Sequence, residues 1–252
     1  MNKDQHVEFL LRLGDNSLVL GHRLSEWCGH APVLEEDIAM TNVALDLIGQ
    51  ARMLYTHAGQ IEGKGRDEDA IAYLRDVLDW RNCLLVEQPN GDFADTMARQ
   101  FLFDCWNFEV FSALTKSADE QLAAIAAKAL KEISYHRRHS GDWVIRLGDG
   151  TDESRARMIA ALDRVWGFTD ELFQMDELDK AALAAGIGVD LEALRPAWES
   201  QVGAVLAEAG LEKPSVTWSV KGGRTKGHHS EHLGFILAEL QFMQRAYPNS
   251  TW

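Results

Sequence analysis

Apolar residues recur every three or four positions along most of the chain, and the few segments that alternate with period two are short. That spacing lays an apolar stripe along a helix, so the chain reads as all-α. The stripes predict a first helix over about 4–30, closed by "GHAP" with Pro32 beyond it, and a second over about 33–61, closed near "EGKG". A third is expected over about 67–88, stopped where Pro89 and Asn90-Gly91 impose a turn. The fourth covers about 92–117. The fifth runs over about 119–147 and breaks at "GDGTDE", whose Thr151 or Asp152 can cap a sixth over about 152–174. A Gly-interrupted region ("AAGIGVD") leads to a helix at about 190–210. The stretch "KPSVTWSVKGGRTKGHHS" is the least helical part, and a last helix over about 229–246 stops before Pro248. A helix of about 27 residues is roughly 40 Å long. Long helices with short connections favour an antiparallel bundle. The expectation is a single domain over 1–252, with a core bundle at about 4–150 and additional helices at about 151–252.

Composition narrows this picture. With 252 residues, 46% of them hydrophobic, the chain can bury a sizeable core without a disulfide or metal staple. No apolar run approaches the roughly 20 residues of a membrane span, and no secretion signal is read in "MNKDQHVEFLLRLGDNS", so a cytoplasmic protein with no membrane role is expected. Cys28, Cys83 and Cys105 are odd in number and form no CxxC pair, which fits reduced, structural thiols. A net charge of −14 argues against nucleic acid as a partner.

Candidate chemistry lies on the long helices. On the fifth, Ile125, Ala129, Glu132, His136, His139 and Trp143 step by four and three and share a face. On the fourth, Asp104 sits in a row of aromatics: Phe93, Met97, Phe101, Phe108 and Phe111. Asp46 shares a face with Asn42, Gly49 and Met53, and Glu26 shares one with Val19 and His22. Four helices thus each offer one carboxylate, in the order expected of a ferritin-like di-iron bundle, which takes two lone acids and two ExxH pairs. The histidines are missing. Three residues after Asp46 stands Gly49, with no ligand, and three after Glu132 stands Tyr135, a poor substitute for imidazole. His136 points about 100° away on a regular helix, and only a π-bulge would turn it or His139 inward. Cations on the same helices (Arg23, Arg52, Lys128) could hold the acids instead. Equally, the acids could be ordinary solvated residues.

The stretches "LSEWCGHAPVLEED" (24–37), "LDLIGQAR" (45–52), "LLVEQPNGDFADTMARQ" (84–100), "KEISYHRRHS" (131–140) and "GHHSEHLGFILAELQFMQR" (227–245) resemble the PaaC subunits of bacterial phenylacetyl-CoA epoxidases, over nearly the whole chain. The resemblance implies a ferritin-like, non-catalytic structural subunit of a multicomponent monooxygenase of aerobic phenylacetate catabolism. That complex converts the aromatic ring of phenylacetyl-CoA to a 1,2-epoxide with O₂ and electrons from NADPH. It further implies that the di-iron centre belongs to the paired catalytic subunit PaaA, that a separate flavin and iron–sulfur reductase supplies electrons, and that this chain binds no cofactor. Glu26, Asp46, Gly49, Asp104, Glu132, Tyr135 and His136 would then be vestigial metal-site positions. The alternative is a subunit with its own di-iron site, using Glu26, Asp46, Asp104, Glu132 and His136. Without its partner, such a chain could self-associate through the same surface.

Other features carry weaker signals. Lys221, Arg224 and Lys226 form a basic stretch on a Gly-rich loop that could meet coenzyme A phosphates or an acidic partner, or simply be solvated. His228, His229 and His232 flank Glu231 with spacing that can bind zinc, but further ligands are lacking. Trp80, Trp106, Trp143, Trp166 and Trp198 fall at helical spacing and are expected in the core. Neither a P-loop nor a Gly-x-Ser-x-Gly motif is present.

Overall fold

The computed structural model describes residues 1–248 and Ser250. In chain order the helices are α1 (Lys3–Ser25), α2 (Leu34–Glu62), α3 (Glu68–Tyr73), α4 (Phe93–Leu114), α5 (Glu120–Gly148), α6 (Asp152–Trp166), α7 (Glu177–Ala184), α8 (Leu191–Glu208), α9 (Gly223–Lys226) and α10 (Glu231–Ala246), with 3-10 turns at Val77–Asp79 and Thr169–Phe173. No strand occurs among the described residues, and the fold class is all-α, with the long-helix content of a ferritin-like bundle. The chain divides into two compact units: Met1–Glu87 together with the segment from Gly222, and Gln88–Lys221.

The first unit is built on the hairpin of α1 and α2. Asn2 starts α1 with a reciprocal cap: its Oδ1 accepts the Gln5 N–H at 2.9 Å, and Gln5 Oε1 accepts the Asn2 N–H at 2.9 Å. Gly63 ends α2 in the left-handed conformation (φ 65°) that glycine adopts without strain. The two helices approach closely at Gly14, where a Cβ would lie 2.5 Å from the Tyr55 ring. That ring cannot move aside freely, because Tyr55 donates to Asp15 Oδ1 at 2.6 Å within the core.

The expected helix over 67–88 is confined to Glu68–Tyr73 and one 3-10 turn. Polar groups on α1 explain why. Asp15 Oδ2 accepts the Arg81 N–H at 2.8 Å, and Asn16 Oδ1 accepts the Cys83 N–H at 2.7 Å, so these donors need no carbonyl four residues earlier. Arg75 turns inward, forks onto both oxygens of Asp15 and lies 4.3 Å from the Trp80 ring. Trp80 and the run from Cys83 to Glu87 are buried. Over this region, α10 is fastened by Gln241 Nε2, which donates to the carbonyls of Ala72 (3.1 Å) and Arg75 (2.9 Å).

In the second unit α4 is central, buried on every side from Thr96 to Asn107, with α5, α6 and α8 packed against it. Side-chain caps start its helices: Asp92 on α4, Asp119 on α5, Thr151 on α6 and Asp190 on α8. The buried tryptophans place their N–H groups on backbone carbonyls, Trp106 on Leu172 and Trp198 on Leu102, both at 2.9 Å. Trp166 packs on Trp198, whereas Trp143 is only half-buried, edge-on to Phe93. The sixth expected helix breaks at Trp166 and continues only as the Thr169–Phe173 turn.

Candidate functional site

The positions singled out by the sequence divide between the units. Glu26, Asp46 and Gly49 lie in the first; Asp104, Glu132, Tyr135 and His136 lie in the second.

On α1, Glu26 is the exposed C-terminal cap, and its carboxylate pairs with Arg23 at 2.8 Å. The same guanidinium donates to the Glu87 carbonyl from Nε (3.2 Å) and Nη2 (2.8 Å). Asp46 is half-buried in the middle of α2. Arg52, six residues on, pairs with Glu68 at 3.1 Å. At Gly49 a Cβ would meet nothing within 4 Å, so no close packing requires glycine there.

In the second unit, Asp104 is wholly buried. Its Oδ1 accepts from Gln100 Nε2 at 2.7 Å and its Oδ2 from Ser140 Oγ at 2.8 Å. Burial pushes the carboxyl up to about 6, against the opposing pull of His136, Ser140, Gln100 and Arg137. Ser140 Oγ also lies 2.9 Å from the His136 carbonyl. A protonated Asp104 can therefore donate to Ser140, which passes its own hydrogen to that carbonyl. Both carboxyl oxygens are engaged by neutral donors, an environment that accommodates a proton as readily as a charge.

Along α5 the buried face runs through Leu122, Ile125, Ala129, Ile133, His136, Ser140 and Val144. Glu132, His139 and Trp143 are half-buried at its edge. The helix is regular throughout, with no π-bulge, so His136 faces the buried side on ordinary helical geometry. Tyr135 is 41% exposed and its ring stacks on His139, with centroids 5.8 Å apart. Ser140 is the residue that sequence reasoning missed, since a lone serine carries no motif.

Elsewhere in this unit, a cleft of about 620 Å³ is lined by Phe101, Cys105, Arg137, Arg138 and Gln201 among others. Burial keeps the Cys105 thiol protonated, well above the usual range, which disqualifies it as a nucleophile.

The basic stretch is not a uniform surface patch. Lys221 and Lys226 are exposed, but Arg224 is only 4% exposed. Of the three histidines weighed for zinc, His229 has both ring nitrogens committed to other partners, Glu87 Oε2 at 3.0 Å and the Trp80 carbonyl at 2.9 Å.

Comparison with known proteins accounts for the chain from end to end. It is 51% identical over 249 residues to the C-subunit of the 1,2-phenylacetyl-CoA epoxidase of Escherichia coli (strain K12), covering 99% of this chain and 100% of the relative. A family model described as phenylacetic acid catabolic protein matches residues 1–252. The chain therefore belongs to the phenylacetic acid catabolic protein family.

Proposed function

We propose that this chain is a structural subunit of a multicomponent phenylacetyl-CoA 1,2-epoxidase in aerobic phenylacetate catabolism, with no turnover of its own. The observation that carries the reading is the 51% identity to the Escherichia coli epoxidase protein across the full length of both chains. In this reading the partner is a PaaA-type catalytic subunit that holds the di-iron centre, and a separate reductase component supplies its electrons. The complex works in the cytoplasm, an assignment compatible with the fact that no helix among the described residues is long and apolar enough to cross a membrane.

The donor chemistry supports the assignment of iron to the partner. A dinuclear centre needs carboxylates free to bridge and imidazoles in the ExxH positions. Here Gly49 offers no donor, Tyr135 is turned toward solvent against His139, and both Asp104 oxygens accept hydrogen bonds from neutral side chains. Glu26, Asp46, Asp104, Glu132 and His136 are then inherited positions with a structural use.

Two measurements test the reading together. Protein expressed in iron-replete medium should contain far less than one iron per chain and show no carboxylate-bridged di-iron absorption band. A tagged chain co-expressed with its catalytic partner should co-purify with it, and epoxidation should require both. Near-stoichiometric iron, or turnover by this chain without a second helical subunit, would replace the structural role with that of a di-iron oxygenase.

A further inference from the structure

The first unit contains a buried ion pair that the proposed function does not use. His229, 1% exposed at its side chain, lies just ahead of α10, and Glu87, wholly buried, lies in the irregular segment between α3 and α4. His229 Nδ1 is 3.0 Å from Glu87 Oε2, and Nε2 is 2.9 Å from the Trp80 carbonyl oxygen. Both partners are acceptors. A neutral imidazole has one N–H and one lone pair, so either tautomer would aim a lone pair at an oxygen. Against a carboxylate at Glu87, the imidazolium alone satisfies both contacts.

The surroundings suit a charge on each side. Glu87 Oε2 also accepts from Asn82 Nδ2 at 3.0 Å, and Oε1 accepts the Ser230 N–H at 2.6 Å. Asn82 Nδ2 and the Ser230 N–H thus donate one to each carboxyl oxygen, and the ring N–H of His229 completes the set. From α1, Asp15 adds negative potential and Arg23 binds the Glu87 carbonyl. Within the segment itself, Arg81 donates to the Trp80 carbonyl at 2.8 Å, while Arg75 lies over the Trp80 ring and is paired with Asp15. His228 is the neighbouring titratable group in the chain and is exposed.

We propose that Glu87, His229 and the Trp80 carbonyl form a protonation-operated clasp: a buried imidazolium fastens the start of α10 to the segment after α3, and loss of its proton to solvent unfastens it. Burial opposes the charge on His229, but the hydrogen bond and charge of Glu87, the Trp80 carbonyl and Asp15 outweigh burial and hold its pKa above the ordinary 6.5. The sign follows. A folded-state pKa above the unfolded one gives stabilisation that is complete below about 6.5 and is lost as the pH rises through the folded value. The clasp is closed below about pH 6.5 and opens as the pH rises through the folded pKa. The far end of α10 stays tethered through Gln241 and through Arg245, whose Nη2 donates to the Arg75 carbonyl at 2.9 Å. Opening is therefore local, confined to the residues around His229 and Ser230.

The test is nitrogen-15 NMR of the histidine rings in the full chain, with His229 assigned by difference against H229Q. At pH 6.5, where a free imidazole is half neutral, both ring nitrogens of His229 should give predominantly imidazolium shifts. Hydrogen exchange should show protection of the amides from Gly227 to Gly234, corrected for intrinsic rates, that falls about tenfold per pH unit between about pH 6.5 and the folded pKa and levels off above it. In H229Q the same amides should lose at least tenfold protection at pH 6, with no remaining pH dependence. A ring no more protonated than a free imidazole at pH 6.5, or protection that stays flat from pH 6 to 9.5, would overturn the clasp. If H229Q does not fold, His229 is assigned instead by segmental labelling of the wild-type chain, and the ring shifts decide.

Discussion

Asp15 and Glu87 in the first unit and Asp104 in the second are buried in opposite ways. In the first, Asp15 and Glu87 are met by basic side chains, Arg75 and His229, and by backbone N–H groups of Arg81 and Ser230. In the second, Asp104 is met by a glutamine amide and a serine hydroxyl, and its carboxyl is pushed up to about 6. The difference tracks what each acid holds. Asp15 and Glu87 secure irregular chain, whose backbone donors need strong acceptors. Asp104 sits between regular helices whose backbone is already satisfied, so its charge serves no local folding purpose. Ionisation there is tolerated rather than used.

The contrast breaks most visibly at Arg75. Arg75→Met should cost about 3–5 kcal/mol, because Asp15 would be left as a buried charge facing only Tyr55 and one N–H. For a chain of this size that is a fall in Tm on the order of 10 °C, read by calorimetry or denaturant titration. A loss no larger than that of a surface substitution would erase the distinction between the two acids.

Asp104→Asn should behave differently, with a pH-dependent effect of about 3 kcal/mol at most. The folded carboxyl keeps its proton up to about pH 6, whereas the unfolded one loses it near 3.8, so between those values the folded state binds more protons and wild-type stability from this group falls as pH rises. An asparagine fits the same network: its amide donates to Ser140, and its oxygen accepts from Gln100. The stability of Asp104→Asn relative to wild type should therefore climb from about pH 4 to pH 7 and level off above. A difference that does not change with pH would show that Asp104 is ionised and paired across the whole range.

Gly14→Ala probes the packing around Asp15 without touching charge. Its new methyl would press on a tyrosine ring pinned by Asp15, costing roughly 1–3 kcal/mol. Pairing it with Tyr55→Phe, which frees the ring from that hydrogen bond, should make the two effects less than additive. The smallest expected change is at Asp119→Ala, where loss of the cap on the Leu122 N–H should cost about 1 kcal/mol and fray the start of α5, measurable as faster exchange in its first turn.

Much of this architecture was legible in the sequence. The apolar periodicity and the cap residue Thr151 locate the starts of the long helices to within a few residues, because those signals are local. The region after α3 was not legible: "LRDVLDWRNCLLVEQ" has helical periodicity, and nothing within it reveals that Asp15 and Asn16 will take its backbone donors. At the candidate site, the row of aromatics around Asp104 betrayed its burial. The α5 face was read through Ile125, Ala129, Glu132, His136, His139 and Trp143; Ile125, Ala129 and His136 are buried, but packing takes Ile133 and Ser140 inward and leaves Glu132, His139 and Trp143 at the edge. Stripes that step by three and four share members with their neighbours, so spacing alone cannot fix which side of His136 the core covers.

Because the first unit is assembled from two segments separated by the whole of the second, its completion is tied to the timing of synthesis. A ribosome that has produced everything through Lys221 has still not made Ser230 or His229, the residues that meet the Glu87 side chain. Until they emerge, that side chain lacks two of its three donors. A nascent chain truncated before Gly222 should accordingly hold its later-made half folded while its N-terminal hairpin remains incomplete, an inversion of the usual vectorial order in which the first residues out are the first to settle.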